Sequence, residues 1–381
     1  MNGVTRIPFS DLGNVIAGQH IPAEQYNGDE SGTPYLTGPA DFTDRTPVVT
    51  KWTNFPRSFS ESGDVLLTVK GAGCGKSNLG VDGAIGRQLM ALRPNKAKLD
   101  RNYLFAFIRS QEERICALGQ GATVPGIAKG DIEKLQIPFF PLLEQRRIAA
   151  ILDKADAIRL KREEGIRLTE DLLRSTFLEM FGDHVEKAKP LTELAEVVSG
   201  VAKGRKLNGR ATLVPYLRVA NVQDGFLNLD EIKMIEALPD EVESLALKDG
   251  DIVMTEGGDH DKLGRGAIWN ASIPNCIHQN HVFRVRVDRR SILPTYFAAF
   301  LRTPQAKRYF LRCAKKTTNL ASINMTQLRG LPVPVPSISL QRKFEEAVQT
   351  INGIAVTRKQ ATSEAASLFG SLVQRAFRGE L

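Results

Sequence analysis

The chain has 381 residues, 42% of them hydrophobic and 25% charged, with a formal net charge of +8. That is enough chain to bury more than one core without staples, and the basic balance is compatible with a polyanionic partner. No run of eighteen or more apolar residues offers a membrane span, the opening MNGVTRIPFSDLG lacks the charged-then-apolar order of a signal peptide, and Cys74, Cys116, Cys276 and Cys313 form no C-x-x-C pair; a cytoplasmic chain with reduced thiols is expected.

In the first half, Val65 to Val69 is a short β-rich run bounded by Gly and Asp. The segment GAGCGKS that follows it, Gly71 to Ser77, imitates a phosphate-binding loop. The motif G-x-x-x-x-G-K-[ST] needs glycine where Lys70 stands, so nucleotide hydrolysis is not expected. Tyr103 to Ile108 reads as an aromatic-rich core helix, and Ile137 to Pro141 as a stiff extended connector. From Leu142 to Phe181 no proline interrupts, and Ile148, Ile151, Leu152, Ala155, Ile158, Ile166, Leu173 and Phe177 fall on one helical seam. Gly182 stands where a left-handed cap is expected. A helix of forty residues is about 60 Å long at about 1.5 Å per residue, more than a single domain needs.

The second half repeats this order. Ile252 to Thr255 and His281 to Val287 are β-rich, Tyr296 to Leu301 is a core helix, and Leu331 to Pro336 is the proline-rich exit. The loop Glu256 to Gly266 is glycine-rich and basic without Gly-Lys-Ser. In Cys276 to His281, strand alternation sets Cys276, His278 and Asn280 on one face and His281 on the other, which argues against a metal site. A second helix carries Phe344, Ala347, Val348, Ile351, Ile354, Thr362, Phe369 and Val373 at matching places, with Gly379 beyond its end. Arg162 and Arg358 lie on the two seams, where their stems can pack while the guanidinium reaches water.

The chain is therefore duplicated. Gly126 to Asp183 aligns without a gap on Ser322 to Gly379, pairing Ile127 with Ile323, Gln145 with Gln341, Arg146 with Arg342 and Phe181 with Phe377. The upstream parts align more loosely: DLGNVIAG (Asp11 to Gly18) with ELAEVVSG (Glu193 to Gly200), Pro34-Tyr35-Leu36 with Pro215-Tyr216-Leu217, and Asp64 with Asp251. A period near half the chain fits two domain-sized repeats rather than a solenoid. Two equal helices with one apolar stripe each are expected to pack antiparallel as a coiled coil, giving a pseudo-twofold molecule with a mixed α/β unit toward each end.

Glycine-rich loops with basic side chains straight after a strand suit phosphate, and Asn, Gln, Arg and Lys can read base edges. The candidate DNA contacts are Lys70, Lys76, Ser77, Asn78, Arg87 and Gln88 in the first unit, and Arg218, His260, Lys262, Arg265, Gln279 and Asn280 in the second. Catalytic motifs are missing: no H-E-x-x-H, no G-x-S-x-G, no Asn/Asp-Pro-Pro-aromatic. A binding protein is the better inference.

The exit-and-helix signatures carry a family resemblance. Ile137-Pro138 through Glu144-Gln145-Arg146-Arg147-Ile148-Ala149-Ala150-Ile151-Leu152-Asp153, its second copy Val333-Pro334 through Leu340-Gln341-Arg342-Lys343-Phe344, and the closing Phe181-Gly182-Asp183 and Ala376-Phe377-Arg378-Gly379-Glu380-Leu381 together resemble the specificity subunit of type I restriction-modification systems. The second copy departs in having Leu340 where the first has Glu144. The resemblance implies an α+β chain without chemistry of its own: a target recognition domain over 1–139, a conserved helix over 140–182, a second recognition domain over 183–335 and a second helix over 336–381. It implies double-stranded DNA read as an asymmetric, bipartite site. It further implies methyltransferase subunits, two of them, docked on the helices through Gln145, Arg146, Gln341 and Arg342, with restriction-translocase subunits joining. The chain would hold no cofactor; S-adenosylmethionine, ATP and Mg2+ would belong to those partners. The rival reading is a stand-alone DNA-binding or coiled-coil scaffold of another defence system.

Overall fold

The computed structural model describes every residue except 1–3, 72, 120–125, 183–186, 206–208, 259–262 and 317–320. It divides into two compact units, one of Met1–Glu164 with Lys359–Leu381, the other of Gly165–Arg358. Helices and sheets are mixed in both, and no helix among the described residues is long and apolar enough to cross a membrane.

In the first unit a four-stranded antiparallel sheet runs in the order Gly13–Ala17, Leu89–Pro94, Val65–Thr68, Ser77–Leu79. Every residue of Val65–Thr68 is buried because both faces are covered. Val65 and Leu67 face a core built with Tyr103, Phe105 and Ile148, while Leu66 faces the other way toward Leu36, Ile85 and Leu89. The second core includes strands Thr33–Leu36 and Gly83–Ile85, which pair in parallel, Tyr35 opposite Ala84 and Leu36 opposite Ile85. The second unit repeats the plan. Its sheet runs Ala195–Ser199, Val282–Val287, Ile252–Thr255, Gly266–Ile268, and Thr212–Leu217 pairs in parallel with Ile277–His278.

The proline-rich exits are strands rather than free connectors. Gln136–Pro138 pairs with Arg6–Pro8, and Pro332–Pro334 with Ala188–Pro190, so each exit closes on the start of its own repeat. A tyrosine locks each one: Tyr103 Oη donates to the Pro138 carbonyl (2.7 Å) and Tyr296 Oη to that of Pro334 (3.1 Å).

Two continuous helices follow the exits, Leu142–Phe181 of 40 residues and Ile338–Ala376 of 39. Each is shared between the units, and within each unit the two helix segments run antiparallel. In the first, Ile148 and Leu152 share a core with Leu372, Val373 and Phe377, and the Arg159 guanidinium lies over the Phe369 ring at 5.8 Å. In the second, Phe177 and Phe181 meet Phe344 at ring-centroid distances of 5.5 and 5.4 Å.

The seam differs from its expected course. Ile158 and Ile354 are 53% and 44% exposed, whereas Asp156 and Thr169 are buried. Position 158 follows Asp156 by two residues, about 200° around the helix, so burying one turns the other outward. Arg358 does not simply reach water: it donates to the Gly165 carbonyl and to Thr169 Oγ1, while Arg162 is exposed. Gly379 takes the left-handed conformation expected of a cap (φ +75°), but Gly182 does not, and its N–H donates to the Leu178 carbonyl as another helical turn.

Candidate nucleic-acid interface

The sheet ends that carry the candidate residues stand on a duplicated frame. Asp64 and Asp251, both buried, each take two hydrogen bonds from one guanidinium: Arg93 Nε and Nη2 to the Asp64 oxygens at 2.9 Å, and Arg286 Nε and Nη2 to those of Asp251 at 2.7 Å. Each aspartate also accepts a backbone N–H, from Glu61 and Lys248 respectively. A buried carboxylate paired this way ties the entrance of the central strand to its neighbour and costs about 3–5 kcal/mol to break.

At the far end of that neighbour, one turn recurs in both units. In the first, Gly86 N–H donates to the Leu36 carbonyl, Leu89 N–H to Gly86, Val69 N–H to Gln88 and Ile127 N–H to Val69. In the second, Gln279 donates to Leu217, Val282 to Gln279, Glu256 to His281 and Ile323 to Glu256. The bonds correspond one for one, so Gly86-Arg87-Gln88 and Gln279-Asn280-His281 are equivalent turns carrying different side chains. Arg87, Gln88 and His281 are exposed, Gln279 and Asn280 half-buried. Glycine closes the frame, because a Cβ on Gly18 would collide with the Gly86 carbonyl and one on Gly200 with that of His278. Lys70, exposed, bridges to Gly126 beside the first turn, as Gly257 pairs with Ser322 beside the second.

Among the described residues of the glycine-rich loop, the N–H groups of Cys74, Gly75 and Lys76 donate to the carbonyls of Gly71, Thr68 and Gly73, so these three amides are taken up within the unit. Ser77 opens a strand antiparallel to Val65–Thr68 instead of a helix, which removes the dipole a nucleotide loop relies on. Lys76 remains exposed and Ser77 half-buried. Asn78 is internal: its Nδ2 donates to the Thr43 carbonyl at 2.7 Å, fastening that loop to the sheet. Arg265 is the counterpart of Lys76, since Thr255 N–H donates to the Arg265 carbonyl as Thr68 N–H does to that of Lys76. Its Nη1 donates to Gln223 Oε1 (3.2 Å). Arg218 is half-buried and donates to Glu231 Oε2 (3.1 Å). His260 and Lys262 lie outside the described residues.

The residues expected on a docking face divide. Gln145 and Gln341 are completely buried. Gln145 Oε1 accepts the Asp100 N–H (2.8 Å), and its Nε2 donates to the carbonyls of Lys98 and Phe140. Gln341 repeats this with Leu293 N–H, Ser291 and Pro336. With every hydrogen-bonding group of the carboxamide occupied, these glutamines fix the start of each long helix and present nothing to a partner. Arg146 and Arg342 are exposed beside them.

Cys276 and His278 do share the inward face, and burial pushes the thiol up to about 12 and the imidazole down to about 4. Alternation ends there, because Asn280 and His281 belong to the turn and touch each other. His281 and Glu256 were missed as candidates. Stepping back from the strand pair Leu89–Pro94 and Val282–Val287 aligns the turns, but the two upstream loops differ in length and hide the match.

The helix surfaces are uneven. Leu143 is 80% and Val356 69% exposed, and Leu168 and Leu172, one turn apart, are exposed too. The second unit also has a groove of about 720 Å3 floored by Phe177, Ala298, Ala299 and Phe344. At the place in the first unit that matches Ala298 stands Phe105, with the Arg45 guanidinium 5.7 Å from its ring centroid and bonded to both Asp153 oxygens at 2.8 and 2.9 Å.

Residues 2–170 match the family model described as the type I restriction modification DNA specificity domain. Over 161 residues the chain is 35% identical to the MjaX type I restriction enzyme specificity subunit named in Methanocaldococcus jannaschii, covering 40% of this chain and 38% of that protein. It is 24% identical over 316 residues to the EcoKI specificity subunit of Escherichia coli K12, covering 76% of this chain and 67% of that one. The matched part thus spans well under half the length of the first relative. Among solved structures, the type I restriction-modification S subunit from M. genitalium superimposes with a TM-score of 0.59 at 19% identity, covering 99% of this chain and 97% of its own.

Proposed function

We propose that both units of this chain, whose residues 2–170 match the model of the type I restriction modification DNA specificity domain, read DNA, each recognising one half of an asymmetric, bipartite site. The observation that carries the reading is the pair of equivalent turns. One backbone frame is built twice, and at its corner it holds the exposed Arg87 and Gln88 in one unit and the half-buried Asn280 and exposed His281 in the other. Identical frames with different polar side chains suit two different half-sites, since direct readout depends on which donors and acceptors face the base edges. Lys70, Lys76 and Arg265 beside the turns suit phosphate contacts that position without specifying.

In this reading the chain supplies specificity and its partners supply chemistry. Methyltransferase subunits dock on the long helices, restriction-translocase subunits join them, and S-adenosylmethionine, ATP and Mg2+ serve those proteins. Support comes from the apolar side chains left exposed along the helices, Leu143, Leu168, Leu172 and Val356, which isolated helices in water do not favour. With Gln145 and Gln341 internal, Arg146 and Arg342 are the docking candidates that remain.

Base-resolution mapping of methylation in cells with and without this gene tests the proposal. Loss of one split, asymmetric motif on deletion is the expected result. An unchanged methylome, together with failure to co-purify with a methyltransferase, would sink it.

A further inference from the structure

The turn of the second unit holds an arrangement that its counterpart lacks. His281 Nδ1 lies 2.6 Å from Glu256 Oε2, and His281 Nε2 lies 3.4 Å from Asn280 Nδ2. A carboxylate only accepts, so the Nδ1 proton sits on the imidazole and points at Glu256. In a neutral ring that leaves Nε2 as an acceptor, and the group facing it is the Asn280 amide nitrogen. One Asn280 N–H is thereby engaged, and the other N–H with Oδ1 remains as a donor and acceptor side by side. The backbone is held as well: Ser199 Oγ donates to the Asn280 carbonyl (2.8 Å), and Glu256 N–H donates to that of His281 (3.0 Å).

We propose that Glu256 and His281 form a positioning relay that holds Asn280 with its amide oriented to read the major-groove edge of adenine. This rests on the proposed DNA-reading role of the turn. Asparagine matches that edge bidentately, its N–H to adenine N7 and its Oδ1 to the N6 amino group. Unaided, an asparagine amide flips easily and offers either polarity, so it also accommodates other bases. The relay removes that freedom by making one end of the amide face an acceptor. An exposed histidine–carboxylate contact does little for stability, which leaves orientation as its physical effect. In the first unit the equivalent residues are Val69, Arg87 and Gln88. Val69 stands where the second unit has its carboxylate, and Arg87, a donor only, suits guanine O6 and N7 instead.

The test is made on the complex purified with its methyltransferase, on DNA carrying the motif obtained by methylation mapping. Each adenine of the half-site read by the second unit is replaced in turn by 7-deazaadenine, which lacks the N7 acceptor. One position is expected to lose about ten- to hundredfold in binding, and Asn280→Ala to abolish the difference between adenine and its analogue there. Glu256→Gln and His281→Ala are expected to relax the same base while leaving the other half-site intact. If no adenine in that half-site is sensitive, or if Glu256→Gln leaves discrimination at wild-type level, the relay is overturned. The deaza series uses the unaltered protein, so a half-site with no sensitive adenine overturns the relay even where a variant fails to fold. Absence of any split motif in the wild type would instead overturn the DNA-reading role itself.

Discussion

Gln145 and His278 show how a polar residue can matter without touching a ligand. Replacing Gln145 by alanine leaves the Asp100 N–H and the carbonyls of Lys98 and Phe140 without their partner, a loss expected to cost about 2–4 kcal/mol. Urea unfolding measures it; a change under about 0.5 kcal/mol would return Gln145 to the surface role expected of it. His278 gives a pH signature. Its Nδ1 donates to the Val282 carbonyl (2.6 Å), and burial holds the ring neutral with its pKa lowered to about 4. The unfolded chain binds the proton near about 6.5, so this contribution is complete above that pH and is lost as pH falls from about 6.5 toward 4, by up to about 3 kcal/mol. Stability of the wild type should therefore fall across that window, and the slope should flatten in His278→Gln. Equal slopes would mean that the ring is solvated. Such residues were hard to read in sequence, because a glutamine repeated at matching positions looks the same whether it faces a partner or a ring of carbonyls.

At the level of elements, the long helices and their doubling were legible, since forty residues without proline and a gapless alignment leave few alternatives. The line of burial was not. It passes through Asp156 and Thr169, whose partners Arg109 (2.8 Å) and Arg358 (2.8 Å) come from elsewhere in the same units, and an apolar count cannot anticipate a buried acid with an arginine. The equivalence of the two turns was not legible: Arg87, Gln88, Gln279 and Asn280 stood out by type, but what matches them lies in backbone bonds across loops of unequal length. That equivalence permits a transplant. Arg87→Asn and Gln88→His together would put the second turn's side chains on the first frame, leaving Val69, which is buried in the core, in place. The expected outcome is a change of base preference confined to the half-site of the first unit, read by methylation mapping. A change in the other half-site would show that the units do not read independently.

For the whole molecule, the partition of the helices matters more than their length. Lys359–Leu381 belongs to the unit otherwise made of Met1–Glu164, and Phe377 packs edge-on against Tyr103 and Phe107 at centroid distances of 5.6 and 5.2 Å. Phe377→Ala is therefore expected to remove about 3–5 kcal/mol from that unit, seen as earlier hydrogen-exchange opening of Val65–Thr68 with Ile252–Thr255 unaffected. Uniform opening of both strands would contradict it. The partition also imposes a timetable on synthesis. The ribosome makes the first unit's sheets early, but the side chains that close its core emerge only after the entire second unit has been translated. The half that is begun first is the half that is finished last, and until then the sides of Tyr103 and Phe107 that meet Phe377 lack their cover, an apolar patch open to chaperones.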